Sequence, residues 1–290
     1  MKKSYLILHI AVLLAGFTGI FAKLISLNEF PLVWFRILFS TIILFFVLKL
    51  FNVVRWASTK EAFKIARVGL LITIHWLFFY ASIKYSNISI GVVCYCLTSF
   101  FTAIFEPLLN KKKFSAVQLL LSALTLFGIS LIFHFDTSYQ LGIILGVVSS
   151  AFAALYTIYN ERLVRSYDSK LINYYQMVGG LVGLTLLLPV YFYLFPDVRF
   201  VPNVADTIYL ILLALFCTVG LYVLFAETLK KLSAFTVNLS FNLEPIYAII
   251  IAFLFFKEGQ EVNVSFYIGL AFVIVSVVLQ SLLSMRGRQS

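Results

Sequence analysis

Leu229-Lys230-Lys231-Leu232-Ser233-Ala234-Phe235-Thr236 runs on through Val237-Asn238-Leu239-Ser240-Phe241 into Asn242-Leu243-Glu244-Pro245. Two adjacent lysines close one apolar run, 206–229, and a second run, 234–256, opens directly after them. Each run has about the 20 residues needed to cross a bilayer core of roughly 30 Å. The stretch therefore reads as a hairpin of two membrane-crossing helices, with its cationic turn held at the membrane surface. Inside the second helix stand a carboxylate and a proline, where a bilayer span is expected to be apolar.

Working outward, the rest of the 290 residues divides in the same way. The remaining spans read as 5–22, 31–51, 67–84, 88–109, 115–134, 140–160, 171–195 and 263–284, making ten. The narrowest separation falls at Lys84-Tyr85-Ser86-Asn87. The runs are continuous, which excludes the alternation of a membrane β-barrel. Ser58 with Glu61, and Ser115 with Gln118, have the spacing of capping boxes at helix starts. The fold class is thus an all-α integral membrane protein. Composition agrees: 62% of residues are apolar and 12% charged, and the mean hydropathy is +1.02. A soluble domain cannot bury that much apolar surface, which excludes a cytosolic enzyme, a nucleic-acid binder and a disulfide scaffold. Cys94, Cys96 and Cys217 lie inside apolar runs and read as packing residues. The first span follows Met1-Lys2-Lys3 like a signal peptide, but Ile20-Phe21-Ala22 lacks a small-x-small cleavage site, so it is expected to stay.

Cation placement orients the spans. With the N-terminus in the cytoplasm, 17 of the 22 lysines and arginines fall on the cytoplasmic side and 4 outside, while Arg36 sits within the second span. That asymmetry explains the net charge of +10 without nucleic acid. The expected location is the plasma (inner) membrane, with both termini cytoplasmic.

The halves of the chain resemble each other. At an offset of 146 residues, Ala81-Ser82-Ile83-Lys84 matches Glu227-Thr228-Leu229-Lys230, and Thr98-Ser99 matches Glu244-Pro245. Ala11, Ala15 and Gly19 match Ser149, Ala153 and Thr157 at offset 138, and Pro31–Arg36 matches Leu171–Gln176 at offset 140. Each half, 1–137 and 138–290, holds five spans, and an odd number inserts the second half upside down. Inverted repeats of this kind build secondary transporters with a midplane site between the repeats.

The chain resembles the ten-helix EamA branch of the drug/metabolite transporter superfamily. The 5+5 layout, Pro31…Arg36 at the start of the second span, the small-residue first and sixth spans and the 229–245 run carry the resemblance. It implies a carrier of small organic solutes such as amino acids or other metabolites, an exporter working by alternating access. It also implies spans three, four, eight and nine at the centre, one, two, six and seven completing the cavity wall, and five and ten at the periphery. Glu106-Pro107 lies near the end of its span and Glu244-Pro245 near the middle of its own, so the two pairs are not equivalent.

Ionisable groups within the bilayer are the candidate site residues. Glu244 leads, because Pro245 removes the amide that would bond the Phe241 carbonyl. Thr236, Ser240 and Glu244 share a helix face, with Asn238 and Asn242 roughly opposite, so the helix must be enclosed by protein. An amine could be held by Glu244 and the Phe241 carbonyl, while Arg36 or His75 meets an opposite group. Glu244 as a purely interhelical bond is the alternative. His75, with Trp76 and Tyr80 as an adjacent stripe, is either a ligand or an interhelical bond. Tyr95 and Ser99 begin a stripe through Thr102 to Glu106 that lines a path or glues helices together. Arg36 either snorkels or binds a substrate carboxylate. Glu227, beside Lys230 and Lys231, reads as a surface salt bridge. Gly142, Gly146, Ser150 and Ala154 permit close helix crossings, and Gly179, Gly180 and Gly183 give either a hinge or close packing.

No zinc pair, nucleophile elbow or Walker loop is present in the sequence. The expected protein is therefore no enzyme, with no cofactor and no metal. Its partners are a small-molecule substrate and the bilayer, and the layout admits a homodimer. A membrane-embedded enzyme and a channel-like facilitator are the rival classes.

Overall fold

The computed structural model describes residues 2–50, 56–111, 113–132, 139–244, 246–248, 268–269, 271–272, 274–279 and 282. Pro245, the later part of the ninth span and much of the tenth lie outside the described residues. The chain runs α1 (Lys2–Leu24), α2 (Glu29–Leu50), α3 (Thr59–Lys84), α4 (Ile88–Tyr95), α5 (Leu97–Asn110), α6 (Ala116–Ile132), α7 (Gln140–Leu163), α8 (Ser169–Leu194) and α9 (Val204–Ala214). A π-helical turn, Leu215–Gly220, joins α9 to α10 (Leu221–Leu229), and α11 (Ala234–Phe241) follows. No strand occurs among the described residues. Among the described residues seven stretches are long and apolar enough to cross a membrane, and Ala116–Gly128 is a shorter apolar helix. Leu120, Leu186 and Phe46 stand on the outer surface, 70%, 73% and 63% exposed. Apolar surface of that kind belongs against lipid.

Local chemistry sets the helix ends. Ser58 and Glu61 form the expected capping box at the start of α3. At α6 only half of the expected box forms, with Gln118 N–H donating to Ser115 Oγ at 3.4 Å. Asn87 caps α4 by accepting the Ile90 N–H at 2.9 Å, which separates the third and fourth spans. Ser233 does the same for α11 through Thr236 N–H.

Three spans expected to be continuous helices are interrupted. The fourth breaks into α4 and α5 at Cys96, whose N–H donates to Val93 O at 3.0 Å, a tight 3₁₀ bond. The eighth carries the π turn between α9 and α10. The ninth ends its first segment at Phe241, with Asn242 N–H on Leu239 O and Leu243 N–H on Ser240 O, both at 3.1 Å. Cys96 and Asn242 have nearly the same backbone (φ −61, ψ −21 and φ −62, ψ −10), and they lie 146 residues apart.

Residues related by that offset meet in space. Trp76 Nε1 donates to Tyr222 OH at 3.0 Å, the Tyr95 and Phe241 rings lie 6.3 Å apart, and Cys96 Sγ is 3.9 Å from Asn242 O. Matched positions touch each other only near the axis that exchanges the repeats. The packing repeats with the same exchange: α3 lies on α7 and α8, and the α9–α10 span lies on α1 and α2. α6 packs on α5, and its Thr125 hydroxyl meets Ser276 of the tenth span at 2.8 Å.

Glycines let the backbones close. A Cβ on Gly69 would lie 2.1 Å from Gln176 O, and one on Gly179 2.3 Å from Ala66 O, so α3 and α8 cross backbone against backbone. Close packing is therefore the role of Gly179. Gly142 and Gly146 press on Ser86 and Cys94 in the same way.

Candidate functional site

Arg36 lies in the second turn of α2 and is 1% exposed. Its Nε donates to Thr218 Oγ1, one terminal nitrogen to Tyr80 OH and the other to Cys217 O, each at 2.8 Å. Its guanidinium carbon sits 3.9 Å over the Trp76 ring. The π turn makes part of this cradle. Leu221 N–H, whose α-helical partner would be Cys217 O, bonds Phe216 O instead, and Cys217 O accepts from Arg36. Arg36 does not snorkel. Its acceptors are neutral, and three of its five N–H groups are used by them.

His75 Nδ1 lies 3.1 Å from Ser149 O and 2.8 Å from Ser149 Oγ, while Ser149 Oγ donates to His75 O at 3.0 Å. A carbonyl can only accept, so Nδ1 is the donor to Ser149 O. His75 thus ties α3 to α7 and still faces the site.

Arg36, His75, Trp76, Tyr95, Phe241 and Glu244 line one cavity of about 30 Å³. That is about one water molecule's share of liquid volume. Glu244 is 4% exposed, and among the described residues no hydrogen bond or ion pair reaches its carboxylate. The two buried ionisable side chains line one small space from opposite repeats, Arg36 from the first and Glu244 from the second.

The other expected residues lie elsewhere. Tyr80 stands behind Arg36 and holds it. Ser240 Oγ is taken up by Thr236 O at 2.9 Å, and Thr236 by the Ser233 cap. Ser99 donates to Cys96 O and accepts from Asn242 Nδ2. The polar faces of α11 therefore serve helix contacts. Asn238 bonds Thr102 at 2.8 Å and Thr157 at 3.0 Å, and all of α11 is buried, as a helix polar on two sides requires. Glu227 pairs with Lys230 at 2.6 Å and accepts from Ser169 at 2.7 Å, the expected salt bridge. The cavity also has walls from Ala15, Thr18, Phe79, Leu221 and Tyr222. Of these, only Tyr222 had a usable signal, as the repeat mate of Trp76. Among the described residues no group of three or more His, Cys, Asp or Glu side chains is gathered for a metal.

Seven described stretches long enough to span a bilayer, with Arg36 and Glu244 lining one cavity between them, describe a polytopic membrane protein. A family model described as the EamA-like transporter family matches residues 2–134 and again 140–282. The chain belongs to that family, within the drug/metabolite transporter superfamily, and is a transporter rather than an enzyme. A solved structure described as "Crystal structure of protein" is similar over 99% of each chain, with a TM-score of 0.73 and 15% identity, a likeness of fold alone. No curated protein matches the sequence.

Proposed function

We propose that the chain is a secondary transporter of small zwitterionic solutes, amino acids being the type, and that it exports them by alternating access. The observation that carries this reading is the shared cavity of Arg36 and Glu244. A buried guanidinium with N–H groups to spare suits a carboxylate. A buried carboxylate that no hydrogen bond or ion pair reaches among the described residues suits an ammonium group. Leaving either charge unmatched in the bilayer is costly, so a solute bearing both complements is favoured over one bearing a single charge. Trp76, Tyr95, Tyr222 and Phe241 surround the charges with aromatic faces, which also attract ammonium groups.

Small-molecule sites run to about 300–1,000 Å³, so walls around a 30 Å³ cavity must part before a solute is admitted. The breaks at Cys96 and Asn242 and the π turn stand beside it. In this reading the repeats, 1–137 and 138–290, rock about their axis. Both termini face the cytoplasm in the plasma (inner) membrane, following the 17-to-4 split of cations.

The test is counterflow in proteoliposomes loaded with a mixture of unlabelled amino acids, followed by uptake of labelled ones. For any amino acid that exchanges, its methyl ester and its N-acetyl derivative, each lacking one charge, are expected to compete at least tenfold less well. Equal competition by one of the singly charged derivatives would overturn the zwitterion reading.

A further inference from the structure

A second cavity, of about 550 Å³, opens between α3 and α7 and shares no lining residue with the first. Three cations, Lys64, Arg67 and Arg162, stand around it, and no acidic side chain lines it. All three are exposed, and among the described residues neither Lys64 nor Arg67 has a hydrogen-bond or ionic partner. Arg162 is oriented by neutral groups, Leu109 O at 2.9 Å and the Asn110 side chain, and it lies over the Tyr159 ring at 5.1 Å. Among the described residues no acidic side chain therefore pairs with the cluster, while its geometry is partly fixed.

The depth of these residues matters as much as their charge. Lys64 and Arg67 lie within the first three turns of α3, and Arg162 lies next to the last residue of α7. The cations thus stand at one end of the bundle, near the helix ends where lipid headgroups would lie. The floor continues inward along α3 as Val68 and Leu71, toward the depth of acyl chains at 1.5 Å per residue. A soluble anion would have use for the cations but none for the apolar floor.

We propose that this groove binds an anionic phospholipid. Its phosphate is held by Lys64, Arg67 and Arg162, and an acyl chain lies over Val68 and Leu71. Basic pockets between membrane helices suit such headgroups. The contact would clamp α3, which carries His75 and Trp76, against α7, which carries Ser149.

Thermal unfolding of the detergent-solubilised full chain, titrated with dioleoylphosphatidylglycerol, tests this. Phosphatidylglycerol is expected to raise the Tm well beyond an equal amount of dioleoylphosphatidylcholine, and glycerol phosphate is expected to do little. Arg67→Gln and Lys64→Gln, on an exposed helix surface, should each keep the lipid-free Tm and weaken the titration about fivefold. Native mass spectrometry should show the same loss of bound phosphatidylglycerol. Equal stabilisation by phosphatidylcholine, an undiminished response in both variants, or full replacement by glycerol phosphate would each overturn the proposal.

Discussion

Glu244 and Arg36 differ in what their removal should do, because among the described residues no hydrogen bond holds the first, while three hold the second. Glu244→Gln is expected to keep the folded yield and thermal stability, since no protein hydrogen bond to its carboxylate is lost among the described residues. Transport should fall, because a charged hydrogen bond to a bound ammonium contributes on the order of 1.5–3 kcal/mol, roughly ten- to a hundredfold in affinity. Parallel thermal unfolding and counterflow measurements separate the two effects. Thr218→Val should act in the opposite sense. It removes the acceptor of Arg36 Nε and leaves a buried charged donor unsatisfied, so stability should drop by about 1.5–3 kcal/mol in denaturant unfolding. At this scale the ionisable part of the site was legible, because Arg36, His75 and Glu244 interrupt apolar runs. Ala15, Thr18 and Leu221 were not, because small and aliphatic residues that wall a cavity look the same as those that pack a helix. Ser240 and Thr236 show the converse. A polar stripe at helical spacing says nothing about whether its hydroxyls face a cavity or their own backbone, and here they serve the backbone and the helix cap.

The elements that matter most are those that depart from a straight helix. The spans themselves were readable from length and hydropathy, but the break at Cys96 carries neither proline nor glycine, and the π turn at Leu215–Gly220 has no proline and only its closing glycine. They arise from tertiary contact, as with the Cys217 carbonyl drawn to Arg36. If the Cys96 and Asn242 breaks are hinges at the axis, joining them should stop the cycle. Asn242→Cys, with Cys94 and Cys217 replaced by alanine, is expected to crosslink to Cys96 under oxidation or with a short bismaleimide. Counterflow should fall on crosslinking and return on reduction of the oxidised bond; crosslinking without loss of flux would show that the breaks do not move. The α3–α8 crossing supplies a contrasting test of rigidity. Gly179→Ala would place a Cβ about 2.3 Å from the Ala66 carbonyl oxygen and should destabilise by about 1–3 kcal/mol or more, the range for overpacking. Gly220→Ala, whose nearest neighbour is Leu215 O at 3.4 Å, should be tolerated in the same unfolding assay.

Over the whole molecule, duplication supplies the frame and divergence the function. Trp76 with Tyr222 and Tyr95 with Phe241 show matched aromatic positions meeting at the axis. The charges there are not matched: Gln176 stands where the first repeat has Arg36, Leu221 where it has His75, and Thr98 where the second has Glu244. Matched positions thus meet beside a cavity whose walls differ, with Arg36 from one half and Glu244 from the other. The proposed orientation rests on the placement of cations along the chain. Lys111→Cys should be labelled only from the cytoplasmic face and Val201→Cys only from outside intact cells, as membrane-impermeant maleimide would report. The central claim is that Glu244 and Arg36 each read one end of a zwitterion. It is tested most directly by competition in the Glu244→Gln transporter. Against a labelled amino acid, the parent protein should prefer the free amino acid over its N-acetyl derivative at least tenfold. In Glu244→Gln that preference should collapse, because the group that reads the ammonium has lost its charge, while the discrimination against the methyl ester persists through Arg36. A Glu244→Gln protein that still transports and still rejects the N-acetyl derivative as the parent does would contradict the claim.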